Sequence, residues 1–152
     1  MKTGSLNAER YGISQEFGDN PEYYASYGYK GHPGVDTPQK KNQPVYVEEG
    51  GRVTGVYPLA GTAGNMVTIK TVRKIPTQGE WRYLHLTSFK VKVGQKVKRG
   101  DVVGLAGNTG DSQGVHNHMD YRPTVPGTNV SLFPLNGYKG RRNPISRLSK
   151  YK

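Results

Sequence analysis

From residue 44 onward the chain is a succession of short runs in which apolar and polar residues alternate, each closed by glycine, proline or asparagine. A period of two predicts strands with one buried and one wet face. Residues 44–47, 51–57 and 65–72 are three such runs, and the last alternates cleanly. Glu49-Gly50-Gly51 and Ala60-Gly61-Thr62-Ala63-Gly64 supply the turns between them. In the run at 81–86, strict alternation places Tyr83 and His85 on one face, opposite Leu84 and Leu86. Residues 91–104 read as a hairpin with valines inward and lysines outward. A turn-rich stretch at 107–114 leads into a strand at 114–121, on which His116, His118 and Asp120 share one face.

The pattern is less regular upstream and downstream of this block. Residues 1–11 read as a loose lead-in, and Ile13-Ser14-Gln15-Glu16-Phe17-Gly18 as a first strand ended by Asp19-Asn20-Pro21. Tyr23, Tyr24, Tyr27 and Tyr29 follow neither a helical nor a strand period, so they line a groove or cap the edge of the core. In Gly31-His32-Pro33-Gly34-Val35-Asp36 the flanking glycines and proline exclude a helix, and a tight turn at Pro33-Gly34 would fold His32 and Asp36 inward together. After Pro123 the chain is rich in Pro, Asn and Gly, with one short helical turn expected at 143–148. No repeat or linker divides the chain. The expectation is one domain over 1–152, with a core of about 12–122 and a basic C-terminal extension over 123–152.

Composition sharpens this picture. With 152 residues, 21 Gly, 10 Pro and only 33% hydrophobic residues, the chain suits an all-β fold of short strands and tight turns. It has no cysteine, which excludes disulfides and thiolate-held zinc and leaves His and carboxylate as the metal-binding side chains. The formal charge is +11, no acidic residue follows Asp120, and Lys139, Arg141, Arg142, Arg147, Lys150 and Lys152 crowd the end. That charge suits an anionic partner (nucleic acid, anionic membrane or anionic cell-wall polymer) or simply a solvated tail. The first seven residues lack the apolar run of a signal peptide, so the expectation is synthesis in a cytoplasm and release by another agent.

A His-x-His pair on a strand is weak evidence by itself. His32 and Asp36 would add to His118 a second nitrogen and a carboxylate oxygen, giving three ligands with a fourth position open for water, the pattern of catalytic rather than structural zinc.

At this point the chain resembles the lysostaphin/LytM class of zinc-dependent peptidoglycan endopeptidases. The resemblance runs from about residue 17 to residue 121. It is carried by Gly31-His32-Pro33-Gly34-Val35-Asp36, Gly64-Asn65-Met66-Val67-Thr68-Ile69, Tyr83-Leu84-His85-Leu86, the stretch 93–101, Gly107-Asn108-Thr109-Gly110 and Gly114-Val115-His116-Asn117-His118. All four histidines fall on functional positions of that pattern. The resemblance implies antiparallel β-sheets forming an open groove with one Zn2+ at its floor. It implies His32, Asp36 and His118 as metal ligands and His85 and His116 as the catalytic pair, with Tyr27, Tyr29, Asn65 and Tyr83 as candidates for the substrate groove. The implied activity is hydrolysis of stem or cross-bridge peptide bonds in bacterial peptidoglycan.

Two residues depart from the family pattern: Asn117 stands where an apolar residue usually points into the core, and Asp120 where many members carry Glu or Gln. A compact phage enzyme fits the chain, either an endolysin passing through a holin or a virion tail lysin. Its basic end would then hold an anionic wall or outer-membrane surface, or other virion proteins. The alternative within the same fold is an inactive wall-binding or tail-structural module. A specific nucleic-acid-binding role would leave the His/Asp set unexplained.

Overall fold

A computed structural model of the chain describes residues 2–72 and 77–152. Met1, part of the expected lead-in, lies outside the described residues. The strands are β1 (Val35–Pro38), β2 (Pro44–Tyr46), β3 (Gly51–Tyr57), β4 (Asn65–Thr71), β5 (Gln78–Leu86), β6 (Ser88–Phe89), β7 (Lys96–Val97), β8 (Val102–Leu105) and β9 (His116–Thr124). Among the described residues three short α-helices accompany them: α1 (Leu6–Tyr11), α2 (Pro21–Ala25) and α3 (Pro144–Leu148). The expected all-β antiparallel class holds. Six strands form one antiparallel sheet in the order β1-β9-β5-β4-β3-β7, and β2-β8-β6 form a second. Val45, Val53, Val67, Ile69, Trp81, Leu86, Val103 and Met119 are among the residues that fill the core. Among the described residues no helix is long and apolar enough to cross a membrane.

Several elements differ from the sequence expectation, each for a long-range reason. The stretch 91–104 is not a hairpin: β7 pairs with β3 in the large sheet, while β8 pairs with β2 and β6 in the small one. Val91, Val97 and Val103 are buried, but Val93 is exposed. Ile13–Gly18 contributes only a bridge between Gln15 and Asp36 instead of a strand. The lead-in folds as α1, whose N-cap Ser5 accepts the Ala8 N–H. The buried Glu48 carboxylate holds this end by accepting from the Leu6 amide at 2.7 Å and from the Ser5 hydroxyl. The tyrosine-rich stretch includes one helical turn, α2, started by Pro21.

The basic C-terminal extension does not trail into solvent. Leu148, on α3, is fully buried in the core, and the Arg142 amide donates to the Tyr121 carbonyl at 3.0 Å. Arg147 makes a bidentate pair with Glu49 at 2.8 and 3.1 Å, joined by Lys150 at 2.9 Å. Three of the cations read as a solvated or anion-seeking tail, Arg141, Arg147 and Lys150, are therefore paired with the protein's own carboxylates.

Asn117 faces the core, as the alternation of β9 requires, and is fully buried. Its Nδ2 reaches the Thr37 hydroxyl only at 3.4 Å, and its Oδ1 has no hydrogen-bond partner among the described residues. A buried amide oxygen left unpaired costs about 1–3 kcal/mol, whereas an apolar residue of similar size carries no such cost. Asn117→Val is expected to raise unfolding stability by about 1 kcal/mol in denaturant titration. A destabilised variant would show that the carbonyl is satisfied in solution.

Candidate active site

Strand register brings the key residues together. β1 and β9 pair antiparallel with Asp36 directly opposite His118, and β5 and β9 pair with Arg82 opposite Asp120 and Leu84 opposite His118. His32 enters from the turn before β1, anchored by its amide to the Asp19 carbonyl at 2.7 Å and by its carbonyl to the Gly18 amide at 2.9 Å. That turn must cross β9 closely. A Cβ at Gly34 would lie 2.2 Å from the Met119 carbonyl oxygen, so only glycine fits there.

The result is a near-equilateral triangle of donor atoms. His32 Nε2 lies 3.1 Å from His118 Nδ1 and 3.1 Å from Asp36 Oδ1, and His118 Nδ1 lies 3.0 Å from Asp36 Oδ1. All three residues are buried. The remaining ring nitrogens are committed elsewhere: His32 Nδ1 to the Glu16 carbonyl at 3.2 Å and His118 Nε2 to Asp120 Oδ2 at 3.0 Å. Those partners can only accept, so each holds a proton on the far nitrogen and turns a lone pair inward.

Three acceptors facing one another at this distance repel unless a cation stands among them. A proton is one such cation. Burial lowers the basicity of His118, but the hydrogen bonds and charges of Asp120 and Asp36 outweigh it and raise its pKa to about 9. Burial likewise works to raise the Asp36 carboxyl, and hydrogen bonds and charge from His118 and His32 carry it well below the usual range instead. A divalent ion is the other candidate, and it would displace the proton. Two imidazoles and one carboxylate with no thiolate match a three-ligand open zinc site, so the residues fit the ion expected from the sequence.

His85 and His116 flank the triangle, their rings 5.0 Å apart. His85 donates Nδ1–H to the Thr109 carbonyl at 2.7 Å, and His116 donates Nδ1–H to the Gly114 carbonyl at 2.8 Å. In both rings the Nε2 lone pair is left for the groove. His116 Nε2 lies 3.6 Å from Asp36 Oδ2. Burial, reinforced by the charge of His118, lowers the His85 pKa to about 4, so His85 is neutral near pH 7.

His85 does not reach this position by simple alternation. Between Asn65–Leu86 and Val67–Tyr83, two steps along β4 match three along β5, so β5 bulges at 84–85, and His85 takes φ +64°. The bulge turns His85 to the same side as Leu84 and Arg82, and all three line the groove. Tyr83 stays on the opposite face, fully buried, its hydroxyl accepting the Glu48 N–H at 2.9 Å. The expectations that Tyr83 shares a face with His85 and lines the groove are therefore both corrected.

Asn65 is also not a groove residue. Its side chain donates to the Leu86 carbonyl and accepts the Leu59 amide, while its amide donates to the Thr109 hydroxyl. It braces from behind the turn whose carbonyl holds His85. Tyr27 and Tyr29 do line the groove, which encloses about 700 Å³. The Tyr27 hydroxyl meets the Asp111 carboxylate, joining the tyrosine wall to the opposite wall formed by residues 111–115.

Two contributors, Arg82 and Arg141, were not singled out from sequence, and Tyr24 was read only as part of the tyrosine-rich stretch. The Tyr24 ring packs 5.2 Å from His32, and burial, aided by the charge of Asp36, pushes its phenol up to about 12. Arg82 makes a bidentate pair with Asp120 at 2.6 and 2.8 Å. Arg141 adds a third contact to that carboxylate at 3.2 Å. The shared face of His116, His118 and Asp120 pointed to Asp120. No local signal pointed to its arginine partners.

Comparison with known proteins follows the same outline. The peptidoglycan DD-endopeptidase ShyA of Vibrio cholerae is 40% identical over 107 residues, which are 69% of this chain and 23% of that protein. The chain thus spans about a quarter of the length of such curated relatives. A zinc-containing peptidase from Vibrio cholerae superposes with TM-score 0.61 at 32% identity, over 77% of this chain and 36% of that one. The catalytic domain of lysostaphin, an antimicrobial peptidase of Staphylococcus simulans, shares the fold with TM-score 0.69 at 23% identity, over 92% of this chain and 93% of that one. Residues 30–131, a span holding the triangle and both flanking histidines, match the sequence profile of peptidase family M23, and the chain belongs to that family.

Proposed function

We propose that the chain is a zinc-dependent endopeptidase that hydrolyses peptide bonds in the stem or cross-bridge of bacterial peptidoglycan. The observation that carries this reading is the triangle of His32, Asp36 and His118, with Asp36 and His118 lining an open groove beside the imidazoles of His85 and His116. A zinc ion held there would polarise the scissile carbonyl and bring water to hydroxide near neutral pH. The protein's own groups would handle the protons. His85 and His116, with Nδ1–H fixed on backbone carbonyls, present Nε2 as the acceptor for a proton from the attacking water. The imidazolium so formed returns that proton to the leaving amine. The tyrosine wall offers flat apolar faces and hydroxyls to an extended peptide.

Muropeptide mass spectrometry on two purified walls, one pentaglycine-bridged and one directly cross-linked, tests the proposal. The zinc-loaded protein is expected to release chelator-sensitive fragments from at least one, and their masses would name the bond. Zinc bound without any product from either wall would instead favour a wall-binding module of the same fold.

A further inference from the structure

We propose that Arg141 is a positioning residue for the metal centre: with Arg82 it clamps the Asp120 carboxylate so that Asp120 fixes the His118 ring with Nδ1 toward the metal position. The inference rests on His118 being a metal ligand, as in the reading above.

Asp120 is fully buried and meets four N–H groups from three residues. Arg82 comes from the adjacent strand, with Nε 2.8 Å from Oδ1 and Nη2 2.6 Å from Oδ2. Arg141 comes from the segment after β9, with Nε 3.2 Å from Oδ1. His118 Nε2 takes the remaining position on Oδ2 at 3.0 Å. Arg82 alone fixes the plane of the carboxylate but leaves a lone pair on each oxygen. With Arg141 on Oδ1, the imidazole can find its acceptor only at Oδ2. Ring orientation and tautomer are then set together, and the lone pair on Nδ1 is the one turned inward.

The segment that delivers Arg141 is built to do so. The Asn136 side chain accepts the Tyr138 and Gly140 amides and donates to the Arg141 carbonyl at 2.8 Å. The Arg141 amide donates to the Tyr138 carbonyl, and its Nη1 donates to the Lys139 carbonyl. The next amide, Arg142, pins the segment to β9 at Tyr121. Residues 136–142 of this segment lie beyond 131, outside the span that matches the family. In this chain the metal centre is thus completed from its C-terminal segment.

Zinc affinity, measured by competition with a chromophoric chelator, tests this without any need for turnover. Arg141→Met should fold, by circular dichroism and Trp81 fluorescence, and bind zinc about 10–100-fold more weakly than the unaltered chain. Arg141→Lys, which keeps the charge, should recover part of that loss. Arg147→Met is the control: its guanidinium pairs with Glu49, not Asp120, so it should lower the unfolding midpoint and leave zinc affinity unchanged. Zinc affinity of Arg141→Met within twofold of the unaltered chain would overturn the proposal, as would an equal loss in Arg147→Met. Should Arg141→Met not fold, Arg141→Lys decides: several-fold weaker binding supports the role and unchanged binding overturns it. An unaltered chain that binds zinc but cleaves no wall would sink the peptidase reading alone.

Discussion

Alanine at His32, Asp36 or His118 is expected to abolish metal binding and hydrolysis together. Each residue supplies one vertex of a triangle with edges of 3.0–3.1 Å. Two ligands would remain after any one change, too few for the three-ligand site that catalytic zinc uses. Without the ion, water near the site keeps its ordinary acidity, so turnover should fall by at least about three orders of magnitude. Zinc content per chain after gel filtration, read beside muropeptide release, separates the two losses. The variants should also differ in stability. His118→Ala leaves a buried Asp120 lone pair without its imidazole donor, while His32→Ala frees only a backbone carbonyl. A variant that kept one zinc per chain would remove its residue from the ligand set.

How much of this arrangement was legible in the sequence depends on how local its cause is. β9 is a simple strand, so alternation alone put His116, His118 and Asp120 on one face and Asn117 on the other. The turn before β1 was readable because Pro33-Gly34 leaves the backbone few choices. β5 was misread because a bulge is a property of two strands in register, and only the pairing with β4 shows the extra residue that carries His85 to the groove and leaves Tyr83 in the core. The clamp on Asp120 was hidden for the same reason. Arg82 is its cross-strand neighbour, and Arg141 arrives from 21 residues downstream. A run of basic residues reads as solvated surface until their buried acidic partners are known, here Glu49 and Asp120. The lead-in hid its helix similarly, since the carboxylate that holds its N-terminus is 42 residues away from the Leu6 amide that it accepts.

The two flanking histidines should behave differently from the ligands. His85→Ala and His116→Ala are each expected to retain stoichiometric zinc and to lower kcat by about 10²–10⁴-fold, the usual contribution of a positioned acid–base group. Neither ring contributes a vertex to the donor triangle, and each is tied to a backbone carbonyl outside it, Thr109 for His85 and Gly114 for His116, so removal leaves the triangle's hydrogen bonds intact. The pH dependence carries a further sign. Because His85 has a lowered pKa of about 4, it gains a proton only well below neutrality. Its lone pair is therefore present around neutral pH, and an acid limb of kcat there is expected from another group. His116→Ala, with His85 intact, and the converse variant should then give different pH–rate profiles, while zinc analysis on the same samples shows whether metal is lost over the same range. Loss of zinc from either variant at neutral pH would move that histidine into the ligand set. Retained zinc with unaltered kcat would take it out of the chemistry.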